Sequence, residues 1–415
     1  MSTQHDVTSV HSTAHAVNSS VSSVSSFWVL FSVGLLYISF GVCFGLLEYS
    51  VPPILMTRGV NLQSMGWVIA LYIPFGLTFL WAPIIDSRPL PWLSYRIGWI
   101  ALCQIISSLL LIVVAFGSNL PAAGLFTLGL MICFAVATMD LALDALAVDI
   151  IGSRYRAIAA ALKVGALALG GFIGGGVLLG MFGSLGWKGV FLVTAALPLL
   201  TILPVLTLTR ADKPRAAAAK RASIVATFRR PGALKQLGML SVTTTAIIAL
   251  FYFQRPILVK MGVPLEHIGW TLGTLSPVLN TLAAVAIVPL LARFSPVKTL
   301  FLLVGISAVA ALGTVLSIDR HLTGSVIFWA VVQGMACSAL SVIIYALILK
   351  WAATDQSATD YAVLCGGSRL LVTLILMAVP TLLNHVSWGI FYLCCMAVLF
   401  IFSLILKGDV RKIAR

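Results

Sequence analysis

The stretch PILMTRGVNLQSMGW at residues 53–67 recurs without a gap as PILVKMGVPLEHIGW at residues 256–270. Eight positions are identical, namely Pro, Ile, Leu, Gly, Val, Leu, Gly and Trp in that order. At the same offset, Pro74 aligns with Pro277. Each copy follows the first long apolar run of its half of the chain, so the repeat predicts two halves with the same order of elements.

Long apolar runs fill both halves. Of the 415 residues, 60% are hydrophobic and only 9% are charged, whereas about a quarter of a typical soluble domain is charged. The runs have the length of about 20 residues that crosses a bilayer as a helix. The sequence therefore predicts an all-α polytopic membrane protein, in which twelve transmembrane helices (spans 1–12) form two pseudo-symmetric six-helix bundles. The runs lie at 27–48, 65–85, 97–117, 121–148, 157–182, 189–208, 236–256, 267–292, 297–318, 325–349, 361–384 and 388–406.

A basic segment separates the two groups of six and sets the predicted domain boundaries. An N-terminal bundle covers 26–209, a basic cytoplasmic connector covers 210–235 and a C-terminal bundle covers 236–407. Residues 1–25 are rich in Ser, Thr and Val and contain no Lys or Arg, which predicts a disordered cytoplasmic tail rather than a secretory signal. Residues 408–415 are predicted to form a second cytoplasmic tail.

The distribution of positive charge predicts the orientation in the membrane. The chain has 26 Lys and Arg against 12 Asp and Glu. These basic residues concentrate in the loops on the side of the termini, as the positive-inside rule requires for cytoplasmic N- and C-termini. We therefore expect no nucleic-acid partner. The basic residues left for the opposite side are few: Arg58, Lys188, Arg255, Lys260 and Arg320.

Two carboxyl groups inside span 4 are the most informative polar residues of the chain. In AVATMDLALDALAVD at 135–149, Asp140 and Asp144 are four residues apart and share one helix face. Lys163 enters span 5 at a similar depth, and a buried Lys–Asp pair is less costly than lone charges. Two interpretations stay open: one carboxyl takes up a proton and releases the lysine, or the pair statically locks spans 4 and 5 together.

Arg369 in span 11 is the counterpart of Lys163 in the second half. Span 10 contains no carboxylate that would pair with it, so we expect either an anionic ligand or an arginine that reaches the membrane surface. Tyr345 is predicted to stack on such a ligand. The residues predicted to line the substrate cavity are Arg369, Lys163, Tyr345, Gln333, Gln254 and Tyr49.

Charged residues at the ends of the spans are candidates for gates. Glu48 and Arg255, at the outer ends of spans 1 and 7, are candidates for a gate pair or for residues at the aqueous interface. On the inner side, Asp86 is a candidate helix cap, cation partner or simple loop anchor. The other inner gate candidates are Arg88, Asp149, Arg154 and Arg156.

Two motifs carry a resemblance to a known family. WAPIID at 81–86 and ATMDLALDA at 137–145 resemble the AmpG-like branch of the major facilitator superfamily. That branch includes muropeptide permeases and siderophore permeases of the RhtX/FptX type. The chain length and the outer-turn sequences look more like the siderophore permeases.

The resemblance implies a monomeric secondary transporter of the bacterial inner membrane. It would import a ferric siderophore, such as one of the phenolate–thiazoline type like pyochelin, by alternating access coupled to protons. A muropeptide permease and an exporter of hydrophobic drugs are the alternatives with the same fold. An intramembrane enzyme that uses Asp140 and Asp144 is the third hypothesis. The repeat argues against it, and GxxxxGK[ST], HExxH and GxSxG are absent. Seven cysteines lie in apolar runs without CxxC spacing, and we expect no metal site or cofactor.

Overall fold

Helices account for the regular structure in the described part of the chain. The computed structural model describes residues 26–87, 90, 93–151, 156–209, 212, 224–352 and 357–411. The predicted tail at 1–25 lies outside these residues, as do half of the connector and residues 412–415.

The helices follow the apolar runs of the sequence. In the described residues, eleven helical segments are long and apolar enough to cross a membrane, and Met65–Leu80 is a shorter apolar helix in the place of span 2. In the first half, the helices are Ser26–Gly45, Leu46–Ser50 and Val51–Thr57 (span 1), Met65–Ala70, Ile73–Leu77, Thr78–Leu80 and Ala82–Ser87 (span 2), Ile97–Phe116 (span 3), Ala122–Ile150 (span 4), Arg156–Phe172, Ile173–Val177 and Leu178–Gly180 (span 5) and Phe182–Leu206 (span 6). After the short helix Ile224–Arg229, the second half contains Ala233–Tyr252 and Gln254–Lys260 (span 7), Leu265–Ile268, Gly269–Leu275 and Ser276–Arg293 (span 8), Pro296–Asp319 (span 9), Thr323–Trp351 (span 10), Ser357–Leu382 (span 11) and Trp388–Arg411 (span 12).

The sequence repeat forms the same turn twice. Gly59 has a φ of 91° and its equivalent Gly262 has a φ of 77°, and both values lie in the left-handed region that favours glycine. The residue after each glycine closes the same hydrogen bond to the last helical turn, from the Val60 amide to the Leu55 carbonyl and from the Val263 amide to the Leu258 carbonyl. The two copies are therefore equivalent in structure as well as in sequence.

The aligned prolines lie next to irregular turns inside their spans. In span 2 the helix ends at Ala70 and resumes at Ile73, immediately before Pro74. In span 8 a π-helical segment, Gly269–Leu275, precedes Pro277. Proline has no amide hydrogen to donate to the preceding turn, so regular α-helical bonding is interrupted at both places.

The two halves are in backbone contact at the predicted outer ends of their spans. Span 2 packs against span 11, and the outer part of span 5 packs against that of span 8. A Cβ atom at Gly66 would approach the Met377 backbone of span 11 to less than 3.0 Å, and one at Gly269 would do the same to the Gly180 backbone of span 5. The two glycines occupy equivalent positions of the repeat, so each copy places a helix against the opposite half.

Asp212 and Asp360 hold the segments that flank the connector. Asp212 follows span 6, and its Oδ2 accepts hydrogen bonds from the Arg96 amide (2.6 Å) and the Ile97 amide (2.9 Å) at the start of span 3. Buried Asp360 of span 11 binds Arg230 at 2.9 Å and accepts a hydrogen bond of 2.6 Å from Thr227. Each carboxylate therefore joins a connector-proximal segment to its own half, and Asp212 also caps a helix.

Replacing Gly269 with alanine should weaken the contact between spans 5 and 8. The added methyl group has no room against the Gly180 backbone, and overpacking of this kind typically costs about 1–3 kcal/mol. We expect a lower thermal unfolding temperature of the purified protein in detergent. Gly238→Ala is the matched control, because nothing lies within 4 Å of its Cβ position. An equal or higher unfolding temperature for Gly269→Ala would contradict the close contact.

Candidate functional site

An ion pair between spans 4 and 5 lies at the centre of the site. The Nζ atom of Lys163 is 2.5 Å from Oδ1 and 2.6 Å from Oδ2 of Asp144. The hydroxyl of Tyr37 in span 1 donates a hydrogen bond of 2.7 Å to the same Oδ1. The Lys163 Nζ also lies 5.3 Å from the centre of the Tyr37 ring. Three helices thus converge on one carboxylate.

Asp140 lies one helical turn deeper along span 4. Its Oδ1 atom is buried and has no hydrogen-bond partner among the described residues. It interacts electrostatically with Asp144, Lys163 and Arg369. Lys163 therefore lies near two carboxyls but, among the described residues, makes its hydrogen bonds to Asp144 only.

The second half contributes a cation and two tyrosines. The Arg369 side chain is exposed and makes no hydrogen bond or ion pair with the residues that the structure describes. Its guanidinium carbon lies 5.9 Å from the Phe75 ring centre in span 2. Tyr345, which is 55% exposed, interacts electrostatically with Lys163, and Tyr361 interacts with Asp144. These contacts place the residues of spans 10 and 11 opposite the ion pair.

The ion pair lies between the two halves and is partly exposed. The side chains of Lys163 and Asp144 are 33% and 42% exposed, and both interact with groups of the opposite half. The halves are in contact through spans 2 and 11, 5 and 8, and 1 and 7. The ion pair is therefore partly exposed, and the two halves are in contact at the predicted outer side.

Arg255, one of the two predicted outer gate residues, contacts a backbone carbonyl and an aromatic ring instead of forming a salt bridge with Glu48. Arg255 is 4% exposed, donates a hydrogen bond of 2.8 Å to the Leu272 carbonyl and lies 4.5 Å from the Tyr49 ring centre. Within the described residues no salt bridge joins it to Glu48, although the two charges interact electrostatically. Aromatic stacking and a backbone carbonyl thus replace the expected ion pair. Arg255 lies inside the protein and not at an aqueous interface.

Two predicted cavity residues are buried away from the ion pair. Gln333 is fully buried and donates a hydrogen bond of 2.5 Å to Ser307 of span 9, so it packs within the second half and does not line the cavity. The sequence indicated its depth in span 10 but not its face. Gln254 is 3% exposed, and its Nε2 has no partner in the described part of the chain.

The inner gate remains a prediction. Arg88 and Arg154 lie outside the described residues. Asp86, Asp149 and Arg156 fall within helices of spans 2, 4 and 5, but their side chains lie outside the described part of the structure. Among the described residues, no group of three His, Cys, Asp or Glu side chains is placed to hold a metal ion.

The sequence analysis missed three aromatic residues of the site, namely Tyr37, Phe75 and Tyr361. Tyr37 is the one that contacts the ion pair directly, since it bonds to Asp144. A tyrosine in the middle of an apolar run is a detectable signal, because its hydroxyl needs a partner when it is buried. The sequence does not reveal which partner it finds.

The chain is similar in sequence to three bacterial proteins over part of its length. No protein-family model matches it. It is 30% identical over 168 residues to an uncharacterized protein of Haemophilus influenzae, which is 40% of either chain. It is 29% identical over 153 residues to the anhydromuropeptide permease of Escherichia coli K12, which is 36% of this chain and 31% of that protein. It is 24% identical over 194 residues to the putative transporter AmpG 4 of Rickettsia conorii, which is 45% of this chain and 46% of that protein.

The lengths of these relatives bear on the choice between siderophore permeases and muropeptide permeases. The matches span between about a third and a half of the relatives' own lengths. The Rickettsia match takes nearly the same share of both chains, 45% and 46%, so the two proteins have similar lengths. Chain length therefore does not favour the siderophore permeases over proteins with the AmpG name.

Solved structures resemble the chain over most of its length. A D-xylose–proton symporter has a TM-score of 0.73 and 10% identity, covering 92% of this chain and 97% of that one. A bacterial homologue of the human lysosomal transporter Spinster, in an inward-facing and unoccupied conformation, has a TM-score of 0.61 and 16% identity, covering 94% of both chains. Sequence identities this low show a shared fold and nothing about function. The predicted fold is confirmed: the chain is a multi-pass helical membrane protein with the major facilitator fold.

Removing one member of the ion pair should destabilise the protein more than removing both. Lys163→Met leaves Asp144 without its cation, whereas adding Asp144→Asn removes the unpaired charge. Since both side chains are partly exposed, water reduces the effect without abolishing it. We expect Lys163→Met to lower the unfolding temperature and the double variant to restore most of the loss.

Lys188→Met is the control for the loss of a positive charge, because Lys188 is exposed and lies 4.3 Å from the Phe116 ring centre. If the double variant is less stable than Lys163→Met, the unpaired charge of Asp144 is not the cause of the lower unfolding temperature.

Proposed function

We propose that this chain is a proton-coupled secondary transporter of the bacterial inner membrane that imports an anionic muropeptide-type ligand by alternating access. The observation that supports the proposal is that Lys163 of the first half and Arg369 of the second half both interact electrostatically with Asp140. The two halves are in contact at the predicted outer end of the gap between them. A single chain supplies both sides of this gap, so the proposed transporter works as a monomer.

The charges of the gap suit an anionic ligand. Arg369 has no ion pair in the described structure, and its guanidinium geometry matches a carboxylate in a two-point contact. Lys163 is held by Asp144 and is available to a ligand once that contact is released. The exposed ring of Tyr345, which interacts electrostatically with Lys163, adds a flat surface on which a ligand could stack.

The carboxyls of span 4 supply a route for protons. Protonation of Asp144 removes its attraction for Lys163, so the lysine becomes free to bind the ligand anion. Asp140 is one turn away and interacts with both Lys163 and Arg369, so its protonation state also changes the field at both cations. Binding of the ligand and binding of a proton would then favour each other, which is what coupled uptake requires.

Muropeptides are favoured over the siderophores that the sequence resemblance implied. The named relatives include an anhydromuropeptide permease and a protein with the AmpG name. A ferric siderophore with phenolate or carboxylate groups shares the anionic chemistry, and it serves as the alternative ligand in the test. No contact of the site favours an exporter of hydrophobic drugs, because the gap is lined by charged residues.

Replacing Arg369 with glutamine should abolish most uptake. The lost charge-assisted hydrogen bonds typically contribute about 1.5–3 kcal/mol, which is a fall of about tenfold or more in transport at low ligand concentration. The measurement is uptake of a labelled anhydromuropeptide into cells with and without this protein, with and without a protonophore.

Arg320→Gln is the matched control, because Arg320 lies at the outer end of span 9, away from the gap. A parallel series uses iron-labelled ferric pyochelin. Uptake of ferric pyochelin without uptake of the anhydromuropeptide would show that the ligand is a siderophore. If neither ligand is taken up, the proposed ligand class is wrong.

The double variant Lys163→Met with Asp144→Asn separates proton coupling from a static lock. If the pair only joins spans 4 and 5, the neutral pair should transport at close to the normal rate wherever the protein is stable. If the pair couples uptake to protons, the double variant should stay inactive in proton-driven accumulation although it is folded. Accumulation at the normal level would rule out the coupling role.

A further inference from the structure

Beyond the ion pair, unpartnered polar atoms meet at the outer end of the gap. The Glu48 Oε2, Tyr72 hydroxyl, Tyr252 hydroxyl and Arg255 Nε atoms are buried and have no hydrogen-bond partner within the described residues. They come from spans 1, 2 and 7 and so from both halves of the molecule. Buried polar groups are nearly always satisfied, so four unsatisfied atoms in one region require an explanation.

These four residues form one group, which we call the outer polar cluster. Glu48 interacts electrostatically with Tyr72, Tyr252 and Arg255. Tyr72 also interacts with Tyr252 across the boundary between the halves. The cluster therefore forms at the contact between the halves.

The outer polar cluster is continuous with the anion site. Arg369 interacts electrostatically with Glu48 on one side and with Asp140 on the other. Its guanidinium carbon lies 5.9 Å from the Phe75 ring centre. Phe75 in turn lies 6.4 Å from Tyr72, measured between ring centres. A ligand held by Arg369 thus has the cluster at its outer end.

The chemistry of the cluster suits a neutral group that both donates and accepts hydrogen bonds. Tyrosine hydroxyls do both, the Arg255 Nε atom donates and the Glu48 Oε2 atom accepts when ionised. The carboxyl of Glu48 and the guanidinium of Arg255 offset each other, so the cluster as a whole favours neither an anion nor a cation.

Aromatic rings surround these polar atoms. Phe44 lies 5.8 Å from Tyr72 and 5.3 Å from Phe75, and Tyr49 lies 6.0 Å from Phe251, all between ring centres. Flat apolar rings beside hydroxyl-binding groups match a sugar, which has apolar C–H faces and a rim of hydroxyl groups.

We propose that the outer polar cluster is the subsite for the sugar part of the transported ligand, while Lys163 and Arg369 bind the carboxylates of its peptide part. This inference rests on the proposed function, and it assigns Tyr72, Tyr252 and Glu48 as residues that determine specificity. The sugar enters the closed end of the gap first, and its hydroxyl groups satisfy the four buried atoms.

The test compares a neutral sugar with a sugar that carries its peptide on the purified protein. The probes are the neutral sugar anhydro-N-acetylglucosamine, which has no carboxylate, and anhydro-N-acetylmuramic acid carrying its peptide, and binding is measured by titration calorimetry. We expect Tyr72→Phe and Tyr252→Phe each to weaken binding of both probes roughly three- to tenfold, as for the loss of one neutral hydrogen bond. Lys163→Met should weaken binding of the peptide-bearing probe by the larger factor.

Tyr392→Phe is the matched control, because it also removes a buried hydroxyl without a partner but lies in span 12, outside the cluster. If a tyrosine variant does not purify as a folded protein, Glu48→Gln is used in its place, because it keeps the size of the side chain. If the peptide-bearing probe binds while the tyrosine variants match Tyr392→Phe, the sugar subsite is wrong and the proposed function stands. If the wild-type protein binds neither probe, both are wrong.

Discussion

The free-energy cost of a charge in a low-dielectric interior is the constraint on which the centre of this protein depends. Lys163 tolerates its position because Asp144 and Tyr37 surround it with a carboxylate and a ring. The three residues come from three helices, so the pair also fixes how spans 1, 4 and 5 are rotated relative to one another. Function and packing are therefore linked at this point: any step that releases Lys163 also loosens the first half.

The cation of each half is neutralised in a different way. In the first half, the cation is neutralised by a carboxylate of its own bundle. In the second half, Arg369 has no such partner in the described structure, and Glu48 and Asp140, which interact electrostatically with it, belong to the opposite half. The electrostatic energy of Arg369 thus varies with the separation of the halves, whereas that of Lys163 varies mainly with protonation. This asymmetry is the physical basis of the proposed coupling between a ligand anion and a proton.

Close backbone contact at the outer end makes the arrangement possible. Gly66 and Gly269 allow helices of opposite halves to approach so closely that an added Cβ would not fit. Small residues favour such contacts in membranes, where dispersion and weak polar contacts replace the hydrophobic effect between helices. The contact closes one end of the gap and brings Glu48, Tyr72 and Tyr252 together from both halves.

The sequence by itself determined the class of the protein, the order of its long apolar helices, the two-fold repeat and the pairing of Lys163 with a carboxyl of span 4. These follow from hydropathy and from depth along a helix, which rises about 1.5 Å per residue. Only the tertiary structure decided which carboxyl forms the pair, that Tyr37 joins it, that Gln333 faces span 9 and that Arg255 stacks on Tyr49. The reason is that sequence spacing gives the depth of a side chain, whereas its partner depends on how each helix is rotated and packed against its neighbours.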